Sequence, residues 1–146
     1  MTERYLDVTQ EAGAAFFSRG IQGEIIMLNL LRFREIADYG DFPKIAPAEA
    51  ISGRRAYHLY MKHTQPFLDA SGGSMMLLAE TGNYLIGRQD EVWDVAMLVR
   101  QASAQAFITF ASDPAYLAGI GHRTAALEDS RLLPLMEIPN LFASAK

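Results

Sequence analysis

Residues 24–33 read EIIMLNLLRF. At a two-residue period, Ile25, Met27, Asn29, Leu31 and Phe33 fall on one face and Ile26, Leu28, Leu30 and Arg32 on the other. Both faces are largely apolar, which predicts a core strand covered on both sides. Residues 92–100, VWDVAMLVR, carry the same double pattern and predict another such strand. Residues 74–86 predict a strand with Gly82-Asn83 marking a bulge or bend. Residues 131–138 predict a last strand. Pro134 has no N–H to give, which places that strand at an edge or puts the proline where no donor is needed. A sheet with helices on one face meets the demand for double cover if a partner sheet lies on the other.

Helical periodicity fills the intervals. Ser52 caps a helix to about residue 70, with Tyr57, Tyr60 or Met61, Thr64, Phe67 and Leu68 as its buried stripe. Pro66 removes one backbone donor within it, and Gly72-Gly73 ends it. Ser103 caps a helix to residue 111. Asp113 caps the next, with Pro114 at its first position, and Tyr116, Ile120 and Leu127 form one stripe. Thr9 caps a short helix to residue 19, with Gly20 just beyond, so residues 1–20 form a helical appendage on the main body. Residues 35–51, with Gly40, Pro43 and Pro47, read as a loop with a helical turn at 47–50. After the appendage the order is β-α-β-β-α-β. This is the ferredoxin-like plan of the α+β class, one antiparallel sheet with its helices on one face.

The chain has 146 residues, the size of one domain spanning 1–146. Half the residues are hydrophobic and 21% are charged, the balance of a soluble globular protein. The net charge is -4 with scattered lysines and arginines, which argues against a nucleic-acid partner. The absence of cysteine excludes disulfides, thiolate zinc sites and thiol nucleophiles, and suits a cytoplasmic location. The opening MTERYLDVTQ lacks the pattern of a signal peptide. The longest apolar run, residues 25–31, is interrupted by Asn29 and far too short to span a bilayer, so no membrane partner is expected.

Tyr57, Tyr60, Gly72-Gly73, Gly87, Ala106-Phe107, then Ser112, Pro114 and Tyr116 before Arg123, and a closing Asp129-Ser130-Arg131 follow one another in order. Over roughly residues 57–135 this series resembles the dimeric α+β barrel proteins of domain-of-unknown-function family thirteen-thirty. The Ser112-x-Pro114-x-Tyr116 joint followed by Arg123 is the most specific part. The resemblance implies a homodimer whose two sheets pack together into a barrel. The wider superfamily includes small monooxygenases, isomerases and haem proteins, so the fold alone does not choose a function. The sequence departs from the family before Gly87. Relatives often carry an acid there and this chain has Ile86, so the role of that acid is not carried over.

Among residues that carry chemistry, His122-Arg123 leads. A guanidinium fork suits a carboxylate, and an imidazole titrates near neutrality. Arg123 is equally placed to pair Asp94 or Glu128 and pin the last helix. Asn29 and Asp94 are polar residues inside apolar strands and need a partner or a ligand. Trp93 lies on the strand face opposite Asp94. His58 and His63, five apart, diverge by roughly 140° on a helix and cannot share a metal, whereas Tyr60 and His63 share a face. A solvated role suits at least one of the two histidines. Arg32 and Glu80 are weaker candidates near strand ends. There is no P-loop, dinucleotide fingerprint or nucleophile elbow, and three scattered histidines give no zinc signature. No cofactor is implied, and no histidine stands out as a haem ligand.

Two functions fit. One is a cofactor-independent enzyme acting on a small organic acid or aromatic metabolite held between the sheet and its helices. His122 and Asp94 are then the catalytic candidates, and Arg123, Asn29, Tyr60, His63 and Trp93 the ligand-binding ones. The other is a non-catalytic ligand-binding or structural dimer. Convergence of these side chains on one solvent-reachable pocket separates the two.

Overall fold

The computed structural model describes residues 3–142. Its elements are α1 (Gln10–Ser18), β1 (Ile25–Phe33), α2 (Gly53–Ala70), β2 (Ser74–Glu80), β3 (Val95–Gln101), α3 (Ala104–Ser112), α4 (Pro114–Leu117), α5 (Ile120–Ala126) and β4 (Leu127–Leu135). The strands form one sheet in the order β2-β3-β1-β4, and every neighbouring pair is antiparallel. This is the ferredoxin-like topology expected from the strand and helix order. β4 is an edge strand, one of the two placements its proline allows.

The predicted alternation in β1 holds. Ile25, Met27 and Leu31 are buried on the face that meets the helices. The core joins Leu31, Val95 and Met97 of the sheet to Ala56 and Tyr57 of α2 and to Ala126 and Leu127. α2 follows its sequence stripe, burying Tyr57, Thr64 and Leu68, with Ser52 Oγ accepting from the Arg55 N–H at 3.0 Å. Gly53 lies so close to the backbone of Arg34 and Ala126 that no side chain fits there. Its N–H donates to Arg34 O at 3.0 Å, which locks the start of α2 onto the end of β1.

Several boundaries differ from the sequence reading, each for a local reason. β2 stops at Glu80 rather than at residue 86: the Thr81 N–H still donates to Asp94 O at 3.1 Å, and Gly82-Asn83 then ends the pairing instead of bending the strand. The bulge in this strand lies between Met75 and Leu77. β3 starts at Val95 rather than 92, since Asp94 leaves the ladder: its N–H donates to Leu31 O at 2.8 Å and its Oδ2 accepts from the Phe33 N–H at 2.8 Å. The helix expected to run from Pro114 to Leu127 is two short helices broken at Gly119, and Leu127 already belongs to β4. β4 therefore starts four residues earlier than expected. No helical turn forms at 47–50; successive turns instead occupy residues 39–46.

The N-terminal appendage is attached mainly by the segment before its helix. α1 buries no residue, and its Phe16 meets Phe107 edge-on at 6.3 Å. Residues 4–6, in contrast, bond across the start of β4: the Tyr5 N–H donates to Asp129 Oδ1 at 2.8 Å and Arg4 to Glu128 O at 2.6 Å.

Among the described residues, no helix covers the second sheet face. The 81–94 loop folds over one end of it and buries Trp93. Across the middle, Leu77, Leu98, Leu28 and Leu133 are aligned by the register in one row spanning all four strands. Leu77 and Leu133 are about half exposed.

Candidate ligand site

The side chains singled out in the sequence fall into separate places. His122, on α5, has Nδ1 at 2.7 Å from the Tyr39 hydroxyl, with the rings edge to face. Burial, and then the nearby His63, lower its pKa below the ordinary imidazole value. Burial likewise raises the pKa of the Tyr39 phenol. His63 Nε2 lies 2.9 Å from Ala115 O and 3.1 Å from Tyr116 O. Carbonyls only accept, so Nε2 carries the proton and the ring clamps α2 to α4. Gly119 makes room for that ring. The Tyr60 and Tyr116 hydroxyls are 2.7 Å apart. The pKa values of Tyr57 and Tyr116 are raised well above the phenol range, first by burial and then by neighbouring tyrosine, with Arg123 acting in the opposite sense.

Arg123 does not pair Asp94 or Glu128. Its guanidinium donates to Leu6 O at 2.6 Å and to Ser130 Oγ at 3.4 Å, joining the N-terminal segment to α5 and β4. Tyr60, His63, His122 and Arg123 therefore lie together around the helix layer, held by internal bonds. Asp94 is committed to the backbone of β1. Asn29 Nδ2 donates to Met27 O at 3.2 Å within its own strand.

Trp93 stands apart on the other sheet face. Its indole N–H lies 2.9 Å from the Tyr84 hydroxyl and 3.0 Å from Glu91 Oε2. The Arg131 and Arg32 guanidinium carbons lie 4.9 and 5.6 Å from its ring centroid. Both arginines pair with Asp129, at 2.9 and 3.4 Å. Burial alone would raise the Asp129 pKa, but the N–H groups of Tyr5 and Ser130 and the Arg131 cation outweigh it and hold the pKa below the ordinary carboxylate value.

A cleft of about 380 Å³ opens elsewhere, between α2 and the β2-β3 side of the sheet. Phe33, Tyr57, Met61, Val95 and Met97 make its apolar walls, and Arg54, His58 and Glu80 contribute polar groups. The Arg54 guanidinium lies 5.0 Å from the Phe33 ring centroid. Among the described residues, no carboxylate lies within 4.0 Å of that cation. None of the seven leading candidates from the sequence lines this cleft, but Glu80, a weaker candidate there, and His58, weighed there beside His63, both do. The helical spacing Arg54, Tyr57, His58, Met61 was the signal available for it, since i, i+3, i+4 and i+7 share a face. Glu80 shares the strand parity of Leu78, which also lines the cleft.

Such a cleft has the size of a small-molecule site, with apolar walls and few polar groups. The fold and cleft define a ferredoxin-like α+β protein with a pocket between its long helix and its sheet. No protein-family model matches the chain, and no curated protein does. Among solved structures, it is similar to the RPA0582 protein of unknown function from Rhodopseudomonas palustris. The identity is 34% and the TM-score 0.83, over 94% of this chain and 100% of that one. The methylated form of the RPA0582 protein gives 35% identity and a TM-score of 0.82, over 92% and 96% of the two chains. The chain belongs to the family of that protein. A DABB family protein with a ferredoxin-like fold from Mesorhizobium loti is 13% identical, with a TM-score of 0.48 over 80% and 99% of the two chains.

Proposed function

We propose that the protein binds a small, largely apolar organic acid in the cleft between α2 and β2-β3. The observation that carries this reading is Arg54, a cation without a carboxylate partner among the described residues, at the edge of an apolar pocket of about 380 Å³. Its planar fork suits a carboxylate, and the Phe33 face beneath it favours an aromatic or flat body. His58 and Glu80 are the groups in reach of such a ligand that exchange protons. If the protein is an enzyme, they carry the acid–base step in place of His122 and Asp94, whose bonds are internal.

The reading includes a homodimer formed through the outer sheet face. The leucine row across four strands supports it, because a row of this kind gains most from being covered by apolar surface. Kinship with domain-of-unknown-function family thirteen-thirty also belongs to this proposal, supported by the Ser112-x-Pro114-x-Tyr116 joint. In that joint Asp113 caps α4 and Tyr116 is buried.

A thermal-shift panel of aromatic and aliphatic carboxylates beside their uncharged amides tests the ligand class. A ligand that binds only the folded chain raises the melting midpoint. Carboxylates, but not amides, should stabilise the wild type, and Arg54→Gln should lose the effect. An Arg54→Gln variant that keeps the full shift defeats the assignment.

A further inference from the structure

The 81–94 loop ends in two side chains that contact almost nothing. Leu85 is 98% exposed and Ile86 93% exposed, at the tip of the segment Gly82–Gly87. A hollow of about 330 Å³ lies on the outer sheet face of the same chain, lined by Leu28, Leu30, Leu132 and Leu133 with Glu91 and Arg131. Its two charged groups are opposite in sign and already engaged. Glu91 accepts from Trp93 and Tyr84, and Arg131 pairs with Asp129. The hollow therefore asks for an uncharged, apolar guest.

We propose that the Leu85-Ile86 tip of one copy enters this hollow on a second copy, each chain giving one tip and receiving one. This rests on the dimer reading above and adds the device that completes it. A two-fold interface is self-complementary, so knob and hole must both be present on every chain, as they are here. The sheet face alone is small. Four strands about 4.8 Å apart, two of 7 residues and two of 9, project roughly 500 Å² at about 3.3 Å per residue, whereas stable interfaces bury about 800 Å² per partner. Two exchanged tips supply further apolar contact at the place where each chain has a vacancy of matching chemistry.

The first test is sedimentation of the wild type and of Leu85→Ser/Ile86→Ser across a concentration series. Because both side chains are exposed in the single chain, the variant should keep its near-ultraviolet spectrum and melting behaviour at low concentration. Its dimer dissociation constant should rise by about tenfold or more, as expected for loss of a central anchor. The second test uses the lack of native cysteine. An Ile86→Cys chain mixed with a Leu133→Cys chain should form a disulfide between copies. Ile86→Cys mixed with Gln65→Cys, on the exposed side of α2, should not. A dimeric wild type with an unchanged dissociation constant in the serine variant, or cross-linking no better than the Gln65 control, overturns the tip exchange and leaves the dimer standing. A wild type that stays monomeric at micromolar concentration overturns both. If that monomer binds an apolar dye and Leu133→Asp abolishes the binding, the hollow holds a small guest instead.

Discussion

Arg123 shows how one residue type fits two roles until its acceptors are known. A guanidinium after a histidine suits an anion, but here its donors meet Leu6 O and Ser130 Oγ. Lysine keeps the charge and loses the fork, so Arg123→Lys should cost about 1–2 kcal/mol in chemical denaturation, the worth of a charged hydrogen bond. It should leave any ligand-induced shift intact; an equally stable variant that loses the shift would contradict this structural role. His122 gives a pH-dependent expectation. Its folded pKa is depressed below the ordinary value of 6.5, so below that pH the unfolded chain takes up the proton more readily. Stability is full above 6.5 and is lost as pH falls through the folded pKa. The melting midpoint should decline more steeply below pH 6.5 in the wild type than in His122→Asn. Parallel curves would assign that decline to other groups. At this scale the sequence marks residues able to do chemistry but not their acceptors, because a backbone carbonyl such as Leu6 O has no signature in side-chain identity. Arg54 carries no mark of its own and His58 reads as solvated for the converse reason, since a polar helix residue reads as solvent-facing until a neighbouring strand forms a wall beside it.

At the scale of elements, legibility followed the strength of the periodic signal. α2 was readable in full because its cap, 3.6-residue stripe and terminal glycines agree. β1 was readable because its alternation is long and flanked by loops. The errors fall where one side chain in three dimensions overrides a local pattern. Asp94 takes the Phe33 N–H and delays β3. Near Gly119 the His63 ring fills the space beside the helix, and α4 and α5 separate there. Adding a methyl group at Gly119 would force that ring off its carbonyls. Gly119→Ala should therefore cost about 1–3 kcal/mol, as overpacking does. Combining it with His63→Ala should recover part of the loss, because the two positions are in contact. Additive losses in a double-mutant cycle would show that the ring is not the cause.

At the scale of the whole molecule, the doubly apolar strands forecast cover on both sheet faces, and the chain provides it unevenly. Helices fill one face. On the other, the chain's own 81–94 loop buries Trp93 at one end and leaves the leucine row open. Strand order and the edge position of β4 were legible from connectivity and Pro134. The cleft was not, because it forms only where α2 leans over β2, and the two sides of that gap are far apart in the pattern of either element.

The location of ligand is therefore the most direct test. A small aromatic carboxylate identified in the thermal panel should be titrated into isotope-labelled protein and followed by amide resonances. Binding in the cleft predicts shifts concentrated at Arg54, Tyr57, His58 and Met61 on α2 and at Leu78, Ala79 and Glu80 on β2, with His122, Arg123 and Trp93 unmoved. Shifts centred on His122 and Arg123, with the α2–β2 cleft silent, would contradict it.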